Sequence, residues 1–244
     1  MSAEAPVAPT IKAADVRASR GAAWIAEGFK IFRGQPLQWS GLSLGWLVIT
    51  LGLFMIPLIG AVASNFLQPV FFASFALAAK KQLAGGRLEM GDLFAGFRAS
   101  VRALVNIGAI LLFAEIVIFA LLALLGLPMA VEPGDKPYTV ADYVRDLDGR
   151  EWILVVGLVL TAIVKGSLWF TAPIIAFHGL STMHAIRWSL YAALSNLGAM
   201  VAYGLALTVL FIAALIPWGL GLLLAFPIMA ASTYAGYRDV FERE

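Results

Sequence analysis

The sequence predicts an all-α, polytopic membrane bundle of six transmembrane helices with three interfacial helices beside them. Two observations carry the prediction. The chain is 61% hydrophobic and only 13% charged, with a mean hydropathy of +0.88, whereas soluble domains run near about half apolar and a quarter charged. The excess is gathered into long runs, punctuated at the turns by proline and glycine.

Residues 1–20 read as a flexible tail. Pro6, Pro9 and small polar residues fill it, and it lacks the basic-then-apolar pattern of a cleavable signal. Residues 21–244 then form a single membrane domain. A spanning helix needs about 20 mostly apolar residues, because it rises about 1.5 Å per residue across about 30 Å of hydrocarbon. Six runs meet that need, at roughly 39–56, 61–79, 105–130, 152–177, 195–216 and 219–237. In "MIPLIG" (Met55–Gly60) and "LIPWGLG" (Leu215–Gly221) an Ile-Pro step stands beside glycine. Proline disfavours helix in the preceding residue and glycine permits reversal, so both joins read as helical hairpins.

Orientation follows from the basic residues in the loops. Thirteen of the 17 Lys and Arg fall in the N-terminal segment, the loop after the second span, the loop after the fourth and the C-terminus. Only Lys136, Arg145 and Arg150 fall on the other side, in the acidic loop 131–151. The expectation is therefore both termini in the cytoplasm and the 131–151 loop outside, with Trp152 and Trp218 at the outer interface.

Three segments suit helices lying in the interface plane: "AWIAEGFKIFRG" with apolar Ile25, Phe29 and Phe32; "GDLFAGFRASVRALV" with Asp92 as N-cap and a stripe of Phe94, Phe97, Val101 and Leu104; and "STMHAIRWSLYAAL" with Ala185, Trp188 and Ala192. The alternative is ordinary loop helices packed on the bundle. Each segment precedes a pair of spans, and Gly28-Phe29-Lys30, Gly96-Phe97-Arg98 and Ser189-Leu190-Tyr191 echo one another. The second span of each pair carries one proline, Pro69, Pro173 or Pro227. The pattern reads as three parallel repeats of interfacial helix plus hairpin.

The "GFKIFRGQP" helix, the tight Ile-Pro hairpin and "APIIAFHGLSTMHAIRWSLYAALSN" together resemble the uncharacterised six-span bacterial inner-membrane proteins of the YciC-like group. Their layout is akin to the membrane domain attached to some glycerophosphodiester phosphodiesterases. The likeness runs from about residue 22 through most of the chain. It implies a bacterial cytoplasmic membrane and an all-helical bundle. It carries over no activity and no site residues.

Two charges stand inside apolar runs: Glu115 in "LLFAEIVIF" and Lys165 in "TAIVKGSLWF". They sit at similar depth on consecutive antiparallel spans, and a lone charge in hydrocarbon costs a few kcal/mol at least. An interhelical ion pair is the first expectation, a substrate or proton site the second. The third is Lys165 snorkelling outward with Glu115 protonated or reaching a polar neighbour. Asn65 and Gln68 lie near enough in the first hairpin to reach Lys165, or serve only as interfacial polarity. "GLSLG" (Gly41–Gly45) has the GxxxG spacing of close helix contacts.

Motifs for catalysis are lacking. His178 and His184 are the only histidines and lack a zinc-binding spacing, and there is no cysteine, P-loop, GxSxG or dinucleotide fingerprint. The expectations are no enzyme activity, no catalytic residue, no metal and no cofactor. A net charge of +2 gives no ground for nucleic acid. The first functional expectation is an assembly, scaffold or lipid-associated envelope factor. It would meet anionic lipid or a protein partner, including a second copy of itself, through Lys30, Arg33, Arg98, Arg102 and Arg187. The alternative is a small transporter or channel for a lipid or small solute, with Glu115 and Lys165 lining the path.

Overall fold

The computed structural model describes residues 11–128 and 139–243, and the described chain is helical, with no strand. The expected tail residues 1–10 and loop residues 131–138 lie outside the described residues. Ten α-helices follow in order: α1 (Ser19–Gly34), α2 (Pro36–Phe54), α3 (Ile59–Leu83), α4 (Val101–Leu124), α5 (Val140–Asp146), α6 (Trp152–Ser167), α7 (Thr171–His178), α8 (Thr182–Ser195), α9 (Leu197–Leu215) and α10 (Leu222–Phe241). A 3-10 helix, Met90–Arg98, stands between α3 and α4.

Among the described residues, five stretches are long and apolar enough to cross a membrane: α2, α3, α4, the continuous Trp152–His178 stretch that holds α6 and α7, and α9. The sixth expected run forms α10. Its first half is apolar, but its second half, "ASTYAGYRDVF", is small, polar and aromatic, and almost all of it is buried. Both tight joins form as expected. Leu58 and Trp218, each the residue after a proline, take positive φ values of 63° and 56°. In each hairpin a glycine lies against the helix seven residues earlier. A Cβ on Gly60 would fall 1.7 Å from the Leu53 carbonyl oxygen, and one on Gly221 would fall 2.6 Å from Ala214 Cα. Only glycine fits either approach.

The core lies toward the end of the bundle that holds α1, the 3-10 helix, α8 and both described termini. The three helices at that end are not simply laid on the surface. The stripe expected for α1 was Ile25, Phe29 and Phe32. Its buried face is instead Gly21, Trp24, Gly28, Ile31 and Phe32, while Phe29 is 44% exposed. This face packs on α10 and α9, and a Cβ on Gly28 would lie 2.6 Å from Ser232 Cβ and 2.7 Å from the Ile228 carbonyl oxygen. The second segment was expected as one continuous amphipathic helix capped by Asp92. It breaks at Ala99 and Ser100, and its N-cap is Glu89, with Asp92 completing a capping box. Here Gly96 closes on α3. Its N–H donates to Ser74 Oγ at 2.8 Å, and a Cβ would lie 2.2 Å from the Val70 carbonyl oxygen. In α8 the corresponding residue, Ser189, is fully buried. It accepts from Phe170 N–H at 3.1 Å and donates to the Ser167 carbonyl at 2.8 Å. One hydroxyl thereby serves two backbone groups left free where α6 breaks into α7.

Residues 11–18, part of the expected flexible tail, are held against α8 and α10. Asn196, 2% exposed, accepts Val16 N–H at 2.7 Å and donates to the Ala14 carbonyl at 3.1 Å, while Ala14 N–H reaches the Val240 carbonyl. A second amide ties three helices: Gln82 of α3 accepts Trp39 Nε1–H of α2 at 2.6 Å and donates to the Ile31 carbonyl of α1 at 2.7 Å. The Gly41–Gly45 notch faces inward, since a Cβ at Gly45 would meet Met90 Cε at 3.1 Å and Leu93 Cδ2 at 3.2 Å. The chain's own 3-10 helix fills the contact that GxxxG spacing offers.

Candidate functional site

Glu115 and Lys165 meet. Lys165 Nζ donates to Glu115 Oε1 at 2.8 Å. Helix geometry sets up the meeting. Glu115 stands nine residues before the end of α4 at Leu124, about 14 Å along the axis. Lys165 stands thirteen residues after Trp152, about 20 Å along the axis, and in the last turn of α6. A cation in the last turn of a helix is favoured by the helix dipole.

The pair is not sealed in side chains. Lys165 and Glu115 remain 42% and 35% exposed, and they line a cavity of about 300 Å³. Trp46, Thr50, Leu53 and Phe54 of α2 form one wall, and Ser64, Asn65, Leu67, Gln68 and Phe71 of α3 form the floor. Asn65 and Gln68, expected near Lys165, do line its cavity. Gln68 has no side-chain hydrogen bond among the described residues, Asn65 reaches only the Ala61 carbonyl at 3.3 Å, and the buried Ser64 hydroxyl has no protein partner. A smaller cavity of about 100 Å³ shares Gln68 and Lys165 and continues between Phe72, Ile107, Leu111, Leu168 and Trp169. The two cavities thus share Gln68 and Lys165, the second with the more apolar lining.

Pro69 explains part of this geometry. It has no N–H for the Asn65 carbonyl four residues back, so α3 carries a free carbonyl beside the cavity. Gly108 of α4 lies against that carbonyl, where a Cβ would approach to 2.4 Å. Close passage of α4 then carries Glu115 toward Lys165. Sequence reasoning missed Thr50 and Ser64, because isolated hydroxyl residues in an apolar run signal nothing by themselves.

Lys30, Arg33, Arg98, Arg102 and Arg187 are all exposed. Arg33 lies over the Phe29 ring at 5.7 Å, and exposed Phe94 and Phe97 stand beside Arg98. Arg187 and Lys12 border an open groove of about 500 Å³ with Trp188 and Tyr191. The histidines have local partners: His178 Nε2 lies 2.7 Å from Tyr237 OH, and His184 Nδ1 lies 2.8 Å from Ser181 Oγ. Among the described residues no three metal-ligating side chains gather.

A separate ionic cluster was not legible in the sequence. Asp239, 6% exposed, accepts from Trp24 Nε1 at 2.9 Å, Arg20 Nε at 2.7 Å and Arg243 Nε at 2.7 Å. Glu27 takes Arg20 at 2.6 Å and Arg238 at 3.2 Å. Burial alone raises the Asp239 carboxyl, but the hydrogen bonds from Arg20 and Trp24 and the charges of Arg20 and Arg243 outweigh it and hold it below the usual range.

No protein-family model and no solved structure matches the chain. A probable inner membrane protein of Burkholderia thailandensis is 25% identical over 227 residues, covering 91% of this chain and 83% of that protein. Together with five helices among the described residues that are long and apolar enough to cross a membrane, the similarity supports an integral, multi-pass inner-membrane protein.

Proposed function

We propose that the protein is a non-enzymatic, lipid-handling component of the cytoplasmic membrane, whose cavity around Glu115 and Lys165 admits the polar part of an amphiphile into the bilayer. One observation carries the reading. An ion pair set in apolar helices stays over a third exposed and lines a cavity together with Thr50, Ser64, Asn65 and Gln68. Charge exposed to hydrocarbon is costly. Water or a polar ligand filling the chamber removes that cost.

In the same reading the part of α10 up to Tyr237 belongs to the sixth span, and the three repeats follow the YciC-like layout. Gly28, Gly96 and Ser189 occupy like places on α10, α3 and the α6–α7 break, and the two proline hairpins share one design. Both termini then face the cytoplasm, where Lys30, Arg33, Arg98, Arg102 and Arg187 lie against anionic headgroups. Each basic residue near such a surface gains roughly 1 kcal/mol. The scaffold reading draws support from these same exposed groups. Reversing Arg98 and Arg102 to Glu tests it: loss of sedimentation with vesicles or of a co-purifying partner favours a surface role, and unchanged association removes it.

The chain has no cysteine, so a single thiol at Gln68 reports on the cavity. Gln68→Cys in proteoliposomes is expected to react with a water-soluble maleimide. The fluorescent-phospholipid quenching assay is expected to show transfer between leaflets with the parent chain and little with the Glu115→Gln, Lys165→Met double variant. An unreactive thiol together with equal transfer by both proteins overturns the reading.

A further inference from the structure

The cavity carries one unit of each charge. Glu115 and Lys165 face the same space and satisfy each other with one hydrogen bond of 2.8 Å. The remaining polar side chains of the lining are neutral: Thr50, Ser64, Asn65 and Gln68. Electroneutrality then selects the guest. A ligand with a single negative charge that takes Lys165 leaves Glu115 without its one hydrogen-bonded partner, and an unpaired charge among membrane-spanning helices is unfavourable. A guest carrying both a cation and an anion exchanges partners with the pair. Its anion takes the Lys165 ammonium, its cation takes the Glu115 carboxylate, and no charge is left over.

Geometry adds two restrictions. The chamber of about 300 Å³ is at the small end of ligand sites and suits a headgroup more than a whole lipid. Its neighbour of about 100 Å³, which shares Gln68 and Lys165, is lined by Phe72, Ile107, Leu111, Leu168 and Trp169 and suits apolar chain. At the rim, Phe54 is 57% exposed, and Val48, Leu51 and Ile116 present further apolar surface on α2 and α4. A polar chamber bordered by apolar surface suits an amphiphile arriving from the bilayer. The free amide of Gln68 adds a donor for phosphate oxygens.

Resting on the lipid-handling reading, we infer that the cavity selects a zwitterionic phospholipid bearing a primary ammonium, with Lys165 taking its phosphate and Glu115 its ammonium. A primary ammonium gives Glu115 a hydrogen-bonded replacement for Lys165, which a quaternary ammonium does not. Binding at this site forms and breaks no covalent bond.

The test uses the full chain, stripped of lipid and incubated with mixed vesicles of phosphatidylethanolamine, phosphatidylcholine and phosphatidylglycerol. Retained lipid is read by native mass spectrometry. Phosphatidylethanolamine is expected to be retained about tenfold over phosphatidylglycerol, in keeping with one charge-assisted hydrogen bond. Glu115→Gln is expected to reverse the order, since Lys165 then stands alone as a cation, and Lys165→Met is expected to weaken both. Maleimide-labelled Gln68→Cys, with the ion pair intact, is expected to displace the lipid, which separates blockage of the cavity from loss of fold. Free phosphoethanolamine at millimolar concentration is expected not to compete; competition at equal concentration replaces the lipid by a soluble zwitterion and overturns the assignment. Retention with no headgroup preference, or with a preference that Glu115→Gln leaves unchanged, also overturns it while leaving lipid handling intact. No retained lipid together with an unreactive Gln68→Cys thiol removes both.

Discussion

The molecule holds two sets of charges beside apolar surface, and they are built in opposite ways. Around Trp24, Asp239 receives three donors and Glu27 two, and helices α1 and α10 close over them through glycine. Around Lys165, one hydrogen bond joins one acid to one base, and the cavity beside them holds amides and a hydroxyl with little to bond. Satisfied polar groups among tightly packed small residues fix a structure. Half-satisfied groups beside open space leave hydrogen-bonding capacity for something else. The contrast fits the first cluster to folding and, on the proposed reading, the second to binding.

The largest expected effect falls on the first cluster. Trp24 is fully buried, with Phe170 and Tyr203 at ring-centroid distances of 6.3 and 5.4 Å. Trp24→Ala is expected to cost about 3–5 kcal/mol, read as a lowered unfolding midpoint in detergent. Maleimide labelling at Gln68→Cys is expected to survive under folding conditions; parallel loss of labelling would join the two regions into one unit.

Next in size is Asp239→Asn, which leaves the donors of Arg20 and Arg243 without their anion and is expected to cost about 1–3 kcal/mol. Its acid dependence has a definite sign. The folded-state carboxyl lies below its ordinary value, so its stabilisation is present above the unfolded value, about 3.9, and is lost as pH falls through the folded value. Acid titration of the unfolding midpoint is expected to lose this component in Asp239→Asn.

Smaller again is the coupling between Glu115 and Lys165. For a pair this exposed, a double-mutant cycle with Gln and Met is expected to give about 1 kcal/mol or less. A single-variant loss of about 3 kcal/mol or more would mark a dry pair and dissolve the contrast. Smallest of all is Gly45→Ala. Its Cβ meets the flexible end of Met90, so a cost below about 1 kcal/mol and an unchanged oligomeric state by light scattering are expected.

Much of the fold was legible because lipid imposes length and polarity on every span. The two hairpins announced themselves through Ile-Pro and glycine, and the proline-bearing helices through Pro69, Pro173 and Pro227. The buried face of α1 was not legible. Its Gly21, Gly28 and Trp24 read as unremarkable next to the phenylalanines, because a glycine contact depends on which backbone arrives against it. Of the site, Glu115 and Lys165 stood out as charges in apolar runs, and Asn65 and Gln68 followed from their depth. Thr50 and Ser64 did not, since a lone hydroxyl in a helix commonly bonds its own backbone.

Composition and the placement of its few charges by themselves determined that this chain forms apolar helices, which segments turn, and that Glu115 and Lys165 stand inside apolar runs. These properties are local: they depend on residues within one helix and on the thickness of a bilayer. Only the tertiary structure decided that Trp24 and Asp239 lock the ends together, that the 3-10 helix fills the Gly41–Gly45 notch, and that a cavity remains beside the ion pair. Those depend on how closely distant backbones approach, and that distance is set jointly by glycine, proline and the volume of every side chain between them.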